Sequence, residues 1–234
     1  MKISKKEAFY EDLKQRVLTL DLPPGHQLDE VLLSEEYELS RTPLREVLQR
    51  VSGEGYISLE AHRSATVSSM DLATMRSFFQ SAPMIYAAVA RLATEQATQD
   101  QIAVLKKIQS RFRKSVQKDI VSDMSMLNHQ FHEQLGVMAA TPYLTPSLGR
   151  LLIDHTRMSH RFYRVREAGS RKRIEEASQQ HDEMIQSIED RKPATTVELT
   201  IAHWELSRSE IDKYVLPDSL PMNGIDDYPK GQRS

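Results

Sequence analysis

The chain has 234 residues, 39% of them hydrophobic, which suffices for one large domain or two modest ones with a real core. It contains no cysteine, so disulfides and thiolate–metal sites are excluded. No apolar run reaches the roughly 18–20 residues that cross a membrane, and the charged stretch 1–10 lacks the apolar segment of a secretory signal. A soluble, cytoplasmic protein is expected. Net charge gives no support for a nucleic-acid partner: it is −2 overall, and residues 1–70 carry nine Lys/Arg against twelve Asp/Glu, a net of −3.

Residues 4–20 read as a first helix, with Phe9, Leu13, Val17 and Leu20 at helical spacing. Leu22-Pro23-Pro24-Gly25 ends it, since proline cannot continue a helix and glycine allows a turn. A short helix fits 29–37. A third begins at Ser40-Arg41-Thr42-Pro43 and carries the apolar stripe Leu44, Val47, Leu48 and Val51. Pro43 suits a first turn, where the N–H groups lack helical partners anyway. Either Ser40 or Thr42 can cap it. Ser52-Gly53-Glu54-Gly55 stops it. Tyr56–Glu60 and Ala65–Ser68 then read as two short strands joined by a turn. Three helices and a hairpin predict a winged helix-turn-helix over 1–70.

From 71 to 216 the pattern is helical throughout. Helices are expected near 71–96, 98–118, 120–139, 143–166, 170–190 and 194–215, with Pro83 kinking or splitting the first. The fold class is therefore mainly α: a winged helix-turn-helix followed by an all-α bundle of six or seven helices. Residues 217–234, with three prolines and two glycines, read as a flexible tail. Lys106-Lys107, Arg111-Phe112-Arg113-Lys114 and Arg171-Lys172-Arg173 read as solvated helix faces.

Arg41 and Arg45 are one helical turn apart at the start of the third helix. A helix entering the major groove N-terminus first brings such guanidiniums to base edges, where arginine can bond both O6 and N7 of guanine. The Ser40 and Thr42 hydroxyls suit phosphate oxygens. Two arginines alone suit a solvated face paired to the acids at 35–38 better than DNA; the turn, the wing and a family resemblance together favour DNA.

The blocks Leu22-Pro23-Pro24-Gly25-His26-Gln27-Leu28, Ser40-Arg41-Thr42-Pro43-Leu44-Arg45-Glu46-Val47-Leu48 and Glu54-Gly55-Tyr56 resemble the N-terminal domain of GntR-family bacterial transcription regulators. The helical remainder is similar to the ligand-binding FCD domain of the FadR subgroup, through Asn128-His129-Gln130-Phe131-His132 and two later histidines. The resemblance implies DNA contacts at Ser40, Arg41, Thr42 and Arg45 and at the wing tip, here His62 and Arg63; the family usually has glycine where Ser64 stands.

Asn128 and His132 lie one turn apart beside the apolar stripe Val121, Met124, Phe131, Leu135 and Met138. His181 falls in the stripe Ile174, Ala177, Met184, Ile185 and Ile188, and His203 lies between Leu199 and Leu206. Three inward histidines and a carboxamide could form a metal site inside the bundle, and neutral imidazoles suit zinc, nickel, copper or iron. The resemblance implies a site of one Asp and three His at the positions of Asn128, His132, His181 and His203, with Asn128 departing from the Asp. His129, His155 and His160 read as core residues, His155 also as a minor pocket candidate. The Arg and Glu that many FCD domains carry on the first bundle helix align with Ala82 and Tyr86. Gln80, Tyr86 and Arg157 are candidate effector-lining residues.

The resemblance implies the expected function, that of a ligand-responsive regulator, a repressor, that binds palindromic double-stranded operator DNA as a homodimer. Its effector is a small carboxylate or amino-acid-like metabolite held in the helical domain at a divalent metal ion, zinc or nickel, and no membrane partner is expected. A metal-dependent hydrolase or isomerase would need a positioned general base; Glu133 is out of phase with the Asn128–His132 face, and no HExxH spacing is present. A helical domain serving only for dimerisation is the third possibility.

Overall fold

The computed structural model describes residues 4–60, 63–164 and 169–215. Helix α1 (Lys5–Leu18) starts on Ser4, whose hydroxyl accepts from the Glu7 N–H, and buries Phe9, Leu13 and Val17 on one stripe. After the proline turn the chain runs beside the hairpin: Gly25 N–H donates to Val67 O at 3.0 Å and Leu28 N–H to Ala65 O at 2.8 Å. Helix α2 (Glu30–Glu36) is capped by Asp29, whose carboxylate accepts from Val31 and Leu32. Helix α3 (Arg41–Glu54) turns its Leu44, Val47, Leu48 and Val51 stripe into the same core. It runs through Gly53 and stops on Gly55, which sits at φ 92°. Strands β1 (Ile57–Ser58) and β2 (Thr66–Val67) pair antiparallel with Ile57 opposite Val67. The hairpin is shorter than its sequence pattern suggests, but it is the wing.

Among the described residues the rest is six helices: α4 (Leu72–Gln96), α5 (Gln99–Lys118), α6 (Val121–Ala139), α7 (Leu144–Arg164), α8 (Ser170–Glu189) and α9 (Pro193–Val215). Asp71 caps α4, and Thr98 with Gln101 forms a capping box at the head of α5. Pro83 does not split α4, which continues for 25 residues. Helix α6 is central, packed on α4, α5 and α7. Gly136 makes its close approach to α7 possible, since a Cβ there would meet Leu148 Cδ2 at 2.7 Å. No helix among the described residues is long and apolar enough to cross a membrane. The tail expected from 217 onward lies outside the described residues.

The two parts share a packed junction. Ile153 of α7 is fully buried in the winged-helix core. Arg150 lies against Gly55, where a Cβ would meet its Cδ at 2.6 Å. Arg157, with no exposed surface, donates to the Ser68 carbonyl at 2.7 Å and pairs with buried Asp154. Ser68 in turn donates its hydroxyl to Gly55 O at 2.6 Å. The connector at residue 68 is thus tied to the end of α3 and to α7 together.

Candidate DNA interface and histidine centre

Ser40, Arg41, Thr42 and Arg45 are all exposed at the head of α3. Ser40 occupies the cap position, yet its side chain makes no capping bond. Its hydroxyl and the first-turn N–H groups therefore remain available for an anion. The acids nearby are largely engaged with α1: Glu36 with Arg16 at 3.1 Å, Glu46 with Lys6 at 2.5 Å, and Glu38 with Lys5. The ion pair that reaches the reading face comes from another acid, with Glu30 Oε2 3.1 Å from Arg45 Nε. Arg63 is exposed and pairs with Glu60 at 2.5 Å. Arg45, Glu30, Gln49, Gln27 and Arg63 line an open cleft of about 890 Å³ between α3 and the wing. His62 lies outside the described residues.

His132 of α6, His181 of α8 and His203 of α9 come together although 71 residues separate the first from the last. Each offers a ring nitrogen, and these atoms lie within 4.8 Å of one another. The three are 2%, 0% and 3% exposed, so the cluster is enclosed in the bundle. Phe131 stacks on His181 with centroids 3.9 Å apart and planes at 10°. Two carboxamides orient the rings. Gln109 Nε2 donates to Ser178 O at 2.8 Å, which turns its Oε1 to accept from His181 Nδ1 at 3.1 Å. Gln180 Oε1 lies 3.0 Å from His203 Nδ1. A proton held on Nδ1 leaves the Nε2 lone pair as the ligand, the usual way outer partners set a metal-binding imidazole.

Both nitrogens of His132, Nε2 of His181 and Oδ1 of Asn128 are buried without a hydrogen-bond partner. Orphaned buried polar atoms are costly, and a bound cation would satisfy them. Electrostatics point the same way. Burial, reinforced by the neighbouring imidazoles, holds His132 and His181 well below the ordinary histidine value. Burial lowers His203 to about 4. All three are neutral at pH 7, as metal ligands must be. Three neutral imidazoles fit a divalent transition metal. Asn128 lies one turn before His132 on α6 and is 2% exposed.

A second buried pair adjoins the cluster. Tyr86 OH is 2.6 Å from His155 Nδ1, the two rings edge-on at 5.4 Å. The His155 ring is 5.1 Å from that of His132 and 5.9 Å from Trp204. Burial depresses His155 to about 3 and raises Tyr86 well above its usual value. Of the effector-lining candidates, only Tyr86 is placed here. Gln80 is exposed on α4, and Arg157 is committed to Asp154 and the Ser68 carbonyl at the junction. His129 bonds Thr156 at 2.7 Å and His160 bonds Ser125 at 3.1 Å, as core histidines do. Sequence reasoning missed Gln109, Gln180 and Trp204. Gln109 had a signal, a carboxamide between Leu105 and Phe112 on an apolar face. Glu133, whose electrostatic neighbours are Lys14, Glu11 and Glu54, faces the domain junction, which leaves the cluster without that base.

Comparison with known proteins finds two family matches along the chain. Residues 5–67 match the bacterial regulatory proteins of the gntR family, and residues 83–206 match the FCD domain. The Nta operon transcriptional regulator of Aminobacter aminovorans is 30% identical over 112 residues, which is 48% of this chain and 53% of that protein. This match thus spans about half the length of its relative. The HTH-type transcriptional repressor RspR of Escherichia coli is 27% identical over 57% of this chain and 58% of its own. Among solved structures, E. coli McbR/YncC superposes with a TM-score of 0.72 at 19% identity, covering 90% of this chain and 96% of that one. At that identity the likeness speaks for the fold. The matched families and relatives are transcriptional regulators, not enzymes. The chain belongs to the GntR family of bacterial regulators, in the FadR-like subgroup whose winged helix-turn-helix is followed by an FCD domain.

Proposed function

We propose that the protein is a repressor that binds a palindromic operator as a homodimer and answers to a small carboxylate metabolite bound in its helical domain. GntR-family regulators bind operator DNA and, through the FCD domain, small effectors, typically as dimers. In this chain Arg41 and Arg45 read base edges, Ser40 and Thr42 hold phosphate, and Arg63 approaches from the wing with His62 beside it in sequence. His132, His181 and His203, with Asn128, hold a divalent metal ion, zinc or nickel. When bound, the metal supplies a Lewis-acidic position for the effector's carboxylate. The observation that carries this reading is the three-helix convergence of buried, neutral histidines, with both nitrogens of His132 and Nε2 of His181 lacking any other partner.

The test combines metal analysis with DNA binding. Protein purified without added metal should contain close to one equivalent of zinc or nickel. Its thermal midpoint should fall on chelation and rise in a screen of small carboxylates, because a ligand that binds only the folded state stabilises it. Hits should alter operator affinity in a mobility-shift titration. Metal-free protein whose operator release survives His181→Ala would refute the metal-sensing reading.

A further inference from the structure

The donor set around the three histidines carries no negative charge. Three neutral imidazoles leave a divalent cation its full double charge, and Asn128, one turn before His132 with its Oδ1 buried and unpartnered, adds no negative charge. Aromatic rings wall the space: Phe131 on His181, Tyr86 5.4 Å from His132, and Trp204 5.7 Å from Tyr86. An uncompensated charge is strongly disfavoured in such surroundings.

The same enclosure holds two unused donors. Neutral Tyr86 has one hydrogen to give, and its hydroxyl partner is His155 Nδ1 at 2.6 Å. When the Tyr86 O–H donates to Nδ1, the proton of a neutral His155 sits on Nε2, an atom that is buried and unpartnered. The indole N–H of Trp204 is likewise buried without an acceptor, and the two rings are 5.9 Å apart. Two N–H groups beside a cation-binding cluster that lacks an anion describe a place for an oxyanion.

We propose that the site takes up its metal and a carboxylate as one unit: the effector's carboxylate supplies the negative charge missing from Asn128, His132, His181 and His203, and His155 Nε2–H and Trp204 Nε1–H receive its remaining oxygen. The inference rests on the reading of the histidines as a metal centre and adds that metal loading is conditional on an anion. Coupling of this kind is reciprocal, so the carboxylate binds tightly only with metal present.

The experiment is zinc titration of chelator-stripped full-length protein against a chromophoric competitor, in a weakly coordinating nitrate buffer. The added probe is millimolar acetate or its neutral counterpart acetamide. Zinc should bind roughly ten- to a hundredfold more tightly with acetate than with acetamide, the size of effect that partners of metal ligands usually have. Asn128→Asp, which brings its own charge, should bind zinc tightly in both and lose most of the difference. His155→Phe and Trp204→Phe should each shrink the acetate-to-acetamide ratio. Tight zinc binding by the wild type that ignores acetate overturns the conditional loading and leaves the metal centre standing. Failure of folded wild-type protein to bind zinc in either medium overturns both. The wild-type comparison decides the matter even if a variant does not fold.

Discussion

At the scale of single residues, the recognition helix works against its own surroundings. Arg45 is 69% exposed on its side chain, and Glu30 sits 3.1 Å from its Nε. An exposed pair of this kind stabilises the fold little, but on the proposed reading DNA has to displace the carboxylate before the guanidinium can reach a base. Arg45→Ala should therefore lose about 1–3 kcal/mol of operator discrimination, the range of a bidentate guanine contact, with the helical circular dichroism spectrum unchanged. Glu30→Gln should do the opposite and raise affinity for operator and random DNA alike, since it removes a competitor and a negative charge beside the groove. A mobility-shift series with both DNAs checks this; tighter binding by Arg45→Ala, or weaker by Glu30→Gln, would contradict the assignment. The exposed placement of Arg41 and Arg45 at the head of α3 was legible in the sequence because one motif holds them a helical turn apart. The three histidines were legible because each falls on its own helix's apolar stripe. Tyr86–His155 and Gln109–His181, at 69 and 72 residues' separation, were not. Such pairs depend on how helices are rotated against one another, which stripes do not fix.

At the scale of elements, periodicity located every described helix to within a few residues, and of the two outcomes expected at Pro83 the split does not occur. Helix α4 carries the proline through because its neighbours α6 and α9 pack along it and outweigh one lost hydrogen bond. Arg157 shows the converse. Its place on α7 suggested a pocket residue, whereas Asp154 at i−3 draws it to the junction. Gly136, one turn after His132 on α6, packs against Leu148 of α7. Gly136→Val places methyl groups where Leu148 Cδ2 already lies 2.7 Å from the first added carbon. Overpacking of this kind costs about 1–3 kcal/mol, and it pushes α6 away from α7 where His132 is carried. The expected result is a lower thermal midpoint together with weaker zinc binding. Gly136→Ala should show the same signs, smaller. A fall in midpoint with zinc affinity untouched would mean that α6 is held at His132 independently of this contact.

At the scale of the whole molecule, the cluster and the recognition helix are joined by a short series of buried polar contacts. His129, on the same helix as His132, bonds Thr156 of α7 at 2.7 Å. The next residue, Arg157, holds the connector through the Ser68 carbonyl, and Ser68 holds the last turn of α3 through Gly55. These contacts tie α6 and α7 to the last turn of the recognition helix, and on the proposed reading they are the route by which loading of the site would reach it. Asp154→Asn leaves Arg157 charged, fully buried and without its counter-ion, and should cost about 3–5 kcal/mol. Replacing the pair together, Asp154→Leu with Arg157→Met, removes both charges and should recover most of that stability, as buried pairs exchanged for apolar residues often do. The double variant still lacks the donor that ties Ser68 to α7. It should bind operator as the wild type does, while the shift in operator affinity caused by the effector shrinks. Chemical denaturation measures the first effect, and operator titrations with and without the ligand measure the second. A double variant with normal stability and a full effector response would show that the signal reaches DNA through the subunit interface instead of this junction.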